Sequence, residues 1–203
     1  MKYKLLLLLF IIQLSCKQQK KHPKQHNPFE HITQTLKNNK AIKLFNLAKE
    51  DIEKGNLGIA KENLKKSFEI EKSPIILNEL ATLAIFEKNY TLALFFLNNS
   101  ISNDKTYYPS HINKSRVLTL RSDFENAKDT LNKMLVECKS DYWKAYGNLY
   151  LAYIYLKGNS NCEEALECIK KSELIKEDID LKPQYEGIKN DIKKNVANKT
   201  YSK

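Results

Sequence analysis

Four alanines, Ala60, Ala93, Ala127 and Ala165, stand 33, 34 and 38 residues apart, and their surroundings recur with them. Three residues before each stands Leu57, Tyr90, Phe124 or Cys162. Four after stands Leu64, Leu97, Leu131 or Ile169, and seven after Ser67, Ser100, Met134 or Ser172. Offsets of −3, 0, +4 and +7 fall on one face of an α-helix. A small residue at the centre of that face marks where a neighbouring helix comes close. A unit of this length cannot bury its apolar face alone, so recurrence at a fixed period implies stacked copies sharing one continuous core. Gly and Pro number only five each in 203 residues. So few breakers favour helices over a fold of many short strands.

Upstream of each alanine lies a second amphipathic segment. It carries Leu44, Leu47 and Ala48 in the first unit, and Leu77, Leu80, Ala81 and Ala84 in the second. The third has His111, Ser115 and Leu118; the fourth has Tyr146, Leu149, Tyr150 and Tyr153. Helices are predicted near 41–54, 57–71, 74–88, 90–102, 108–121, 124–138, 142–157 and 162–176. Ser73-Pro74 supplies a cap and a first-turn proline, Pro109 and Pro183 can each open a helix, and Ser122 with Glu125 and Asn161 with Glu164 have capping-box spacing. The fourth unit has about three extra residues, assigned to Gly158–Asn161. Beyond the repeats, Tyr185, Ile188, Ile192 and Val196 share one face of a ninth segment over 181–198 with lysines opposite, the composition of a terminal cap; 199–203 is read as a tail. Phe29, Ile32 and Leu36 suggest a short leading helix over 29–40.

The stretches LFNLAKEDIEKGNLGIAKENL, LNELATLAIFEKNYTLALFFL, SDFENAKDTL and YGNLYLAYIYLKG resemble the tetratricopeptide repeat, a helix–turn–helix unit of about 34 residues. The resemblance covers 41–177. It implies an all-α fold: an α-solenoid of about four such repeats plus a C-terminal capping helix.

The formal net charge of +10 looks like a nucleic-acid signal until it is mapped. Residues 1–16 carry +2, 17–28 carry +4 and 182–203 carry +4, while 29–181 balance 22 basic against 22 acidic residues. Nucleic-acid binders concentrate cations on the folded recognition surface, so no nucleic-acid partner is expected.

Lys2 and Lys4 precede the apolar run Leu5–Ile12 and then Gln13-Leu14-Ser15-Cys16, the layout of a secretory signal. Ten residues of helix span about 15 Å, half of a hydrocarbon core of about 30 Å. Leu14-Ser15-Cys16 resembles a bacterial lipobox, although Gln13 stands where that pattern has an apolar residue; an ordinary secretory peptide with an incidental cysteine is the alternative. The resemblance implies a signal peptide over 1–15, acylation of Cys16, and anchoring that several acyl chains make stable. Lys17 after the cysteine implies the outer membrane. Residues 16–28 are polar, basic and broken by Pro23 and Pro28, a tether. Those prolines also prevent His22, His26 and His31 from sharing a helix face, so solvated histidines are expected rather than a metal site.

The residues present no phosphate loop, HExxH, GxSxG or CxxC pattern. His111 is the single histidine of the repeat region and stands at a packed position. Cys138, Cys162 and Cys168 read as small buried residues; Cys162 and Cys168, six apart on one helix, face apart, while a bridge from Cys138 to either stays open. No enzyme activity, cofactor or metal is expected. The family geometry implies a concave groove lined by the first helix of each unit, with Phe45, Lys49, Asn78, Thr82, Ile85, Ile112, Arg116, Thr119, Leu151, Ile154 and Tyr155 facing a protein or peptide partner. That implies a scaffold in the bacterial envelope, assisting assembly or secretion. Binding of a cell-wall glycan, stacked on Tyr153, Tyr155 and Trp143, is the alternative.

Overall fold

The computed structural model describes residues 35–159 and 161–201. The expected signal peptide over 1–15, Cys16, the expected tether, His22, His26 and His31, and residues 29–34 of the expected leading helix lie outside the described residues. Residues 35–38 are not helical, and Asn39 and Lys40 already belong to the first repeat helix.

Nine helices follow among the described residues: α1 Asn39–Glu53, α2 Leu57–Ile70, α3 Pro74–Phe86, α4 Tyr90–Asn103, α5 Tyr108–Leu120, α6 Phe124–Glu137, α7 Asp141–Asn159, α8 Cys162–Lys171 and α9 Lys182–Tyr201. No strand accompanies them among these residues. The eight expected repeat helices are all present. One ends early: Ser172 folds its hydroxyl back onto the Ile169 carbonyl at 2.9 Å and caps α8, and Glu173–Glu177 form a 3₁₀ turn. Serine competes with the helix ladder in this way because its short side chain reaches nearby backbone. The expected tail begins too soon, because α9 continues through 199–201.

The alanine face does what its spacing implies. Ala60, Ala93, Ala127 and Ala165 are all 0 % exposed, and Leu64, Leu97, Leu131 and Ile169 are buried beside them. In the first two units the serine seven residues on ties the second helix to the start of its partner. Ser67 Oγ donates to the Ala41 carbonyl and Ser100 Oγ to that of Pro74, both at 2.8 Å. These carbonyls stand 26 residues upstream in each case, so the repeat includes its hydrogen bonds.

The first three units also turn the same way. Gly55, Lys88 and Ser122 have φ of +78°, +57° and +61°. The amides of Gly55 and Asn56 donate to the Ile52 and Asp51 carbonyls, those of Lys88 and Asn89 to Ile85 and Ala84, and those of Ser122 and Asp123 to Thr119 and Leu118. This is the Schellman arrangement, which closes a helix with one left-handed residue. Ser122 is therefore the last residue of that turn. The N-cap of α6 is Asp123, without a side-chain bond to the helix amides, and Asn161 makes none either, so neither expected capping box forms. Ser73 does cap α3, accepting from the Ile75 amide at 3.3 Å ahead of Pro74.

Paired helices stack so that α3 touches α5, α5 touches α7 and α7 touches α9. The first helices thus form one side of the solenoid. At the leading end, the Glu71 carboxylate accepts from the Lys37 and Asn38 amides at 2.8–3.1 Å and pins the incoming chain. At the other end Tyr185, Ile188 and Ile192 bury the inner face of α9. Asp178, 0 % exposed, locks that helix in place. It accepts from Tyr142 Oη at 2.8 Å and from the Asp180 and Leu181 amides at 2.9 and 3.0 Å. No described helix is long and apolar enough to cross a membrane.

Candidate functional site

A groove of about 580 Å³ opens between α5 and α7. Helix α5 contributes Ile112, Asn113, Arg116 and Thr119; α7 contributes Tyr146, Tyr150, Tyr153 and Lys157. Phe124 of α6 and Gln184 of α9 complete it. The tyrosines stand four and then three apart, so one face of α7 presents them in a row. Gly147, inside that row, lets α6 approach: a Cβ there would lie 2.6 Å from Met134 Cε.

Tyr146 stacks on Trp143 with ring centroids 5.9 Å apart, and Tyr150 and Tyr153 lie 5.6 Å apart at a tilt. Burial is the main cause that raises the phenol pKa of Tyr146 and Tyr150, against an opposing pull from Arg116. Both hydroxyls therefore stay protonated and can donate. Among the described residues lining the groove there is no carboxylate. Its chemistry is apolar faces, amide and hydroxyl hydrogen bonding, and two cations, a set suited to holding an extended chain with acids.

The expected groove residues divide into three groups. Ile112, Arg116 and Thr119 line the groove. In the first two units the expected residues are instead engaged within the fold. Phe45 and Ile85 pack against core clusters, and Lys49 pairs with Glu79 at 3.2 Å. Thr82 donates to the Asn78 carbonyl. Asn78 itself is buried, its side-chain oxygen accepting from Ser110 Oγ at 3.2 Å and Asn113 Nδ2 at 3.0 Å. On α7 the expected face is displaced. Leu151 and Ile154 are buried in the core, and Tyr155 lies beneath the Lys128 ammonium, 5.4 Å from its ring centre.

The reason is register. Ala48, Ala81, Ser115 and Ala152 are fully buried small residues, one in each first helix. The first three stand twelve residues before the next alanine and Ala152 thirteen, so most of the extra length precedes Ala152 rather than lying at Gly158–Asn161. Helix α7 has 19 residues where α1, α3 and α5 have 15, 13 and 13. Counting back from Ala165 to Ala152 would have placed Tyr153 on the groove face. The glycan alternative loses two of its three rings, since Trp143 is buried and Tyr155 covered.

Cys138, Cys162 and Cys168 are buried and are not joined by disulfides. Burial pushes that of Cys168 up to about 11, so it stays a neutral thiol. No group of acids, histidines and cysteines that could hold a metal occurs among the described residues.

No family model matches the chain, and no curated protein is similar to it in sequence. Solved structures are similar in fold. A tetratricopeptide repeat protein from Parabacteroides merdae superposes with a TM-score of 0.60 at 18% identity, over 79% of this chain and 62% of that one. The chain thus spans under two thirds of that protein's length. MamA from Desulfovibrio magneticus gives 0.57 at 16% identity, over 81% and 93% of the two chains. YrrB, a TPR protein with an unusual peptide-binding site, gives 0.57 at 15% identity over 74% of each. Built from a 34-residue helical hairpin with a repeated alanine, a repeated left-handed turn and a stacked row of first helices, this chain has the fold of a tetratricopeptide-repeat solenoid.

Proposed function

We propose that the protein is a lipid-anchored scaffold of the bacterial envelope that holds an extended segment of a partner protein between α5 and α7. The observation that carries this is the tyrosine-lined groove with Arg116 and Lys157 on it and no carboxylate among its described lining residues. Tyrosine gives large contact area for little ordering entropy and keeps a hydroxyl for the partner's backbone. The peptide-binding site for which YrrB is described lends support through a shared fold. Anchoring rests on the sequence: Leu14-Ser15-Cys16 at the end of an apolar run, with a basic tether behind it. On this reading the scaffold hangs from the outer membrane by Cys16 and assists assembly or secretion of its partner.

A photo-crosslinking residue in place of Tyr153 should capture the partner in intact cells. The same residue in place of Lys133, exposed on α6, should not. Equal capture from both positions would remove the groove from the function. Cys16→Ser should abolish acyl labelling, and a mature N-terminus other than acylated Cys16 would end the anchoring proposal.

A further inference from the structure

The groove does not stop at the fourth unit. A second cavity of about 330 Å³ continues from it, sharing Tyr153 and Lys157 and taking its other wall from Ile188, Asp191, Lys194 and Asn195 of α9. With Gln184 in the first cavity, these α9 positions fall three or four residues apart, on one side of the helix. A cap needs only an apolar inner face and a solvated outer one. Helix α9 has that inner face in Tyr185, Ile188 and Ile192, yet it also turns a polar edge toward α7. It touches α7 as α7 touches α5, and so stands where the first helix of a fifth unit would stand.

We propose that α9 is a working part of the binding surface, and that the ligand is an extended acidic peptide segment running across both cavities. This rests on the reading of the first groove as a peptide site. Charge carries it: the two linings together hold Arg116, Lys157 and Lys194 against Asp191 alone, the first two within residues 29–181 that balance to zero and Lys194 within the basic 182–203. Size agrees. Tyr146 and Lys157 are eleven residues apart on α7, about 16 Å of helix, which about five residues of extended chain would follow. The amides of Gln184 and Asn195 can pair with the backbone of such a segment, and the tyrosine faces can take its apolar side chains. Arg116 and Lys194 then meet acids toward its two ends, and Asp191, one turn before Lys194 on the same wall, opposes the second of these contacts and limits its strength.

The test uses the full chain and a fluorescein-labelled copolymer of glutamate and tyrosine, read by anisotropy, with a lysine–tyrosine copolymer and inorganic polyphosphate as competitors. Lys194→Glu should weaken binding about five-fold and Asp191→Lys strengthen it by a similar factor. Both side chains belong to exposed residues of α9, so melting should not move. Opposite signs from two neighbouring residues are not what a purely structural helix would give. Arg116→Glu with Lys157→Glu tests the first groove separately. If that pair abolishes binding while both α9 variants leave it unchanged, α9 is a cap only and the groove reading survives. Absence of saturable binding by the acidic copolymer overturns the acidic-peptide ligand. Displacement by polyphosphate as effective as by unlabelled copolymer would make the site a general polyanion surface and overturn the peptide assignment.

Discussion

The first two units and the last two are built on one backbone plan and present opposite inner faces. In α1 and α3 the polar groups expected in the concavity are used within the fold, Lys49 by Glu79 and Asn78 by Ser110 and Asn113, while Thr82 and Thr119 alike bond back to their own helices. The cores of the first two units are alanine and aliphatic side chains, with phenylalanine at the margins. In α5 and α7 the inner face is tyrosines and two cations with no carboxylate lining them among the described residues. The core behind it holds Tyr142, Trp143 and Tyr185. The comparison separates what a repeat conserves within itself from what it varies. Alanine anchors and left-handed turns recur because each unit must pack on the next. Arg116 and Lys157, cations outside the ion pairs of the described residues, stand where a ligand would supply the partner.

The largest effects test the common plan. Ala60→Gln and Ala127→Gln each place a longer chain and an amide where two helices leave no space, and each should destabilise by about 2–4 kcal/mol in urea unfolding. Lys133→Gln, on an exposed side chain, should change stability by under about 0.5 kcal/mol. A large loss at one alanine and none at the other would break the equivalence of the two halves.

A smaller effect should separate them. Tyr142→Phe removes one of three donors from the buried Asp178 carboxylate, a loss of about 1–3 kcal/mol. Because Asp178 ties α9 to α7, amide exchange should quicken in α7–α9 before it does in α1–α4. Uniform quickening along the chain would show that the halves unfold as one unit, against the local behaviour expected of a solenoid.

How much of this was legible follows from where each feature's information lies. The bounds of the second helices follow from the sequence to within a residue or two, apart from the early end of α8, because an alanine, a leucine or isoleucine four residues on, and a serine or methionine seven on fix each face at three points. The face of α7 was not legible. Its extra length lies mostly on the N-terminal side of Ala152, and a helix aromatic all round offers no polar side by which to orient it. Lys88 and Ser122 gave no sign of left-handed turns, although Gly55, one period before Lys88, was the available clue. Asp178 sits in a run of charges, ELIKEDIDLK, that reads as solvated. Its burial depends on Tyr142, 36 residues earlier, which no local pattern encodes.

The repeated turn offers the next, gentler test. Gly55 adopts its positive φ freely, whereas Lys88 and Ser122 hold theirs at a cost. Lys88→Gly, in the first half, and Ser122→Gly, in the second, should each stabilise by about 0.5–1 kcal/mol after the glycine's greater unfolded-state freedom is offset. Gain at one turn and loss at the other would show that the turns, unlike the alanines, do not belong to the shared plan.

The smallest effect arises where the halves meet. Leu44 and Leu77 occupy one position in the first two units, and the third has His111 there. Its Nε2 lies 2.9 Å from the Lys105 carbonyl, joining α5 to the loop after α4. Burial lowers the imidazole pKa, the Lys105 carbonyl opposes it, and Lys114 and Glu137 make smaller contributions of opposite sign. The folded protein therefore favours neutral His111, whereas the unfolded chain takes up a proton near 6.5. A depressed folded-state pKa contributes stability that is fully present above about 6.5 and is lost as pH falls toward the lower folded value. Melting temperature should therefore fall between pH 7.5 and 5.5, and His111→Gln, which can still donate to the carbonyl but cannot titrate, should fall less. Since His111 is the only histidine beyond residue 34, amide exchange in α1 and α2 should hold steady over this interval while the α4–α5 junction quickens. Equal pH slopes for wild type and variant would mean that the charged imidazole is accommodated at this position, and that the boundary between the two halves carries no proton-sensitive contact.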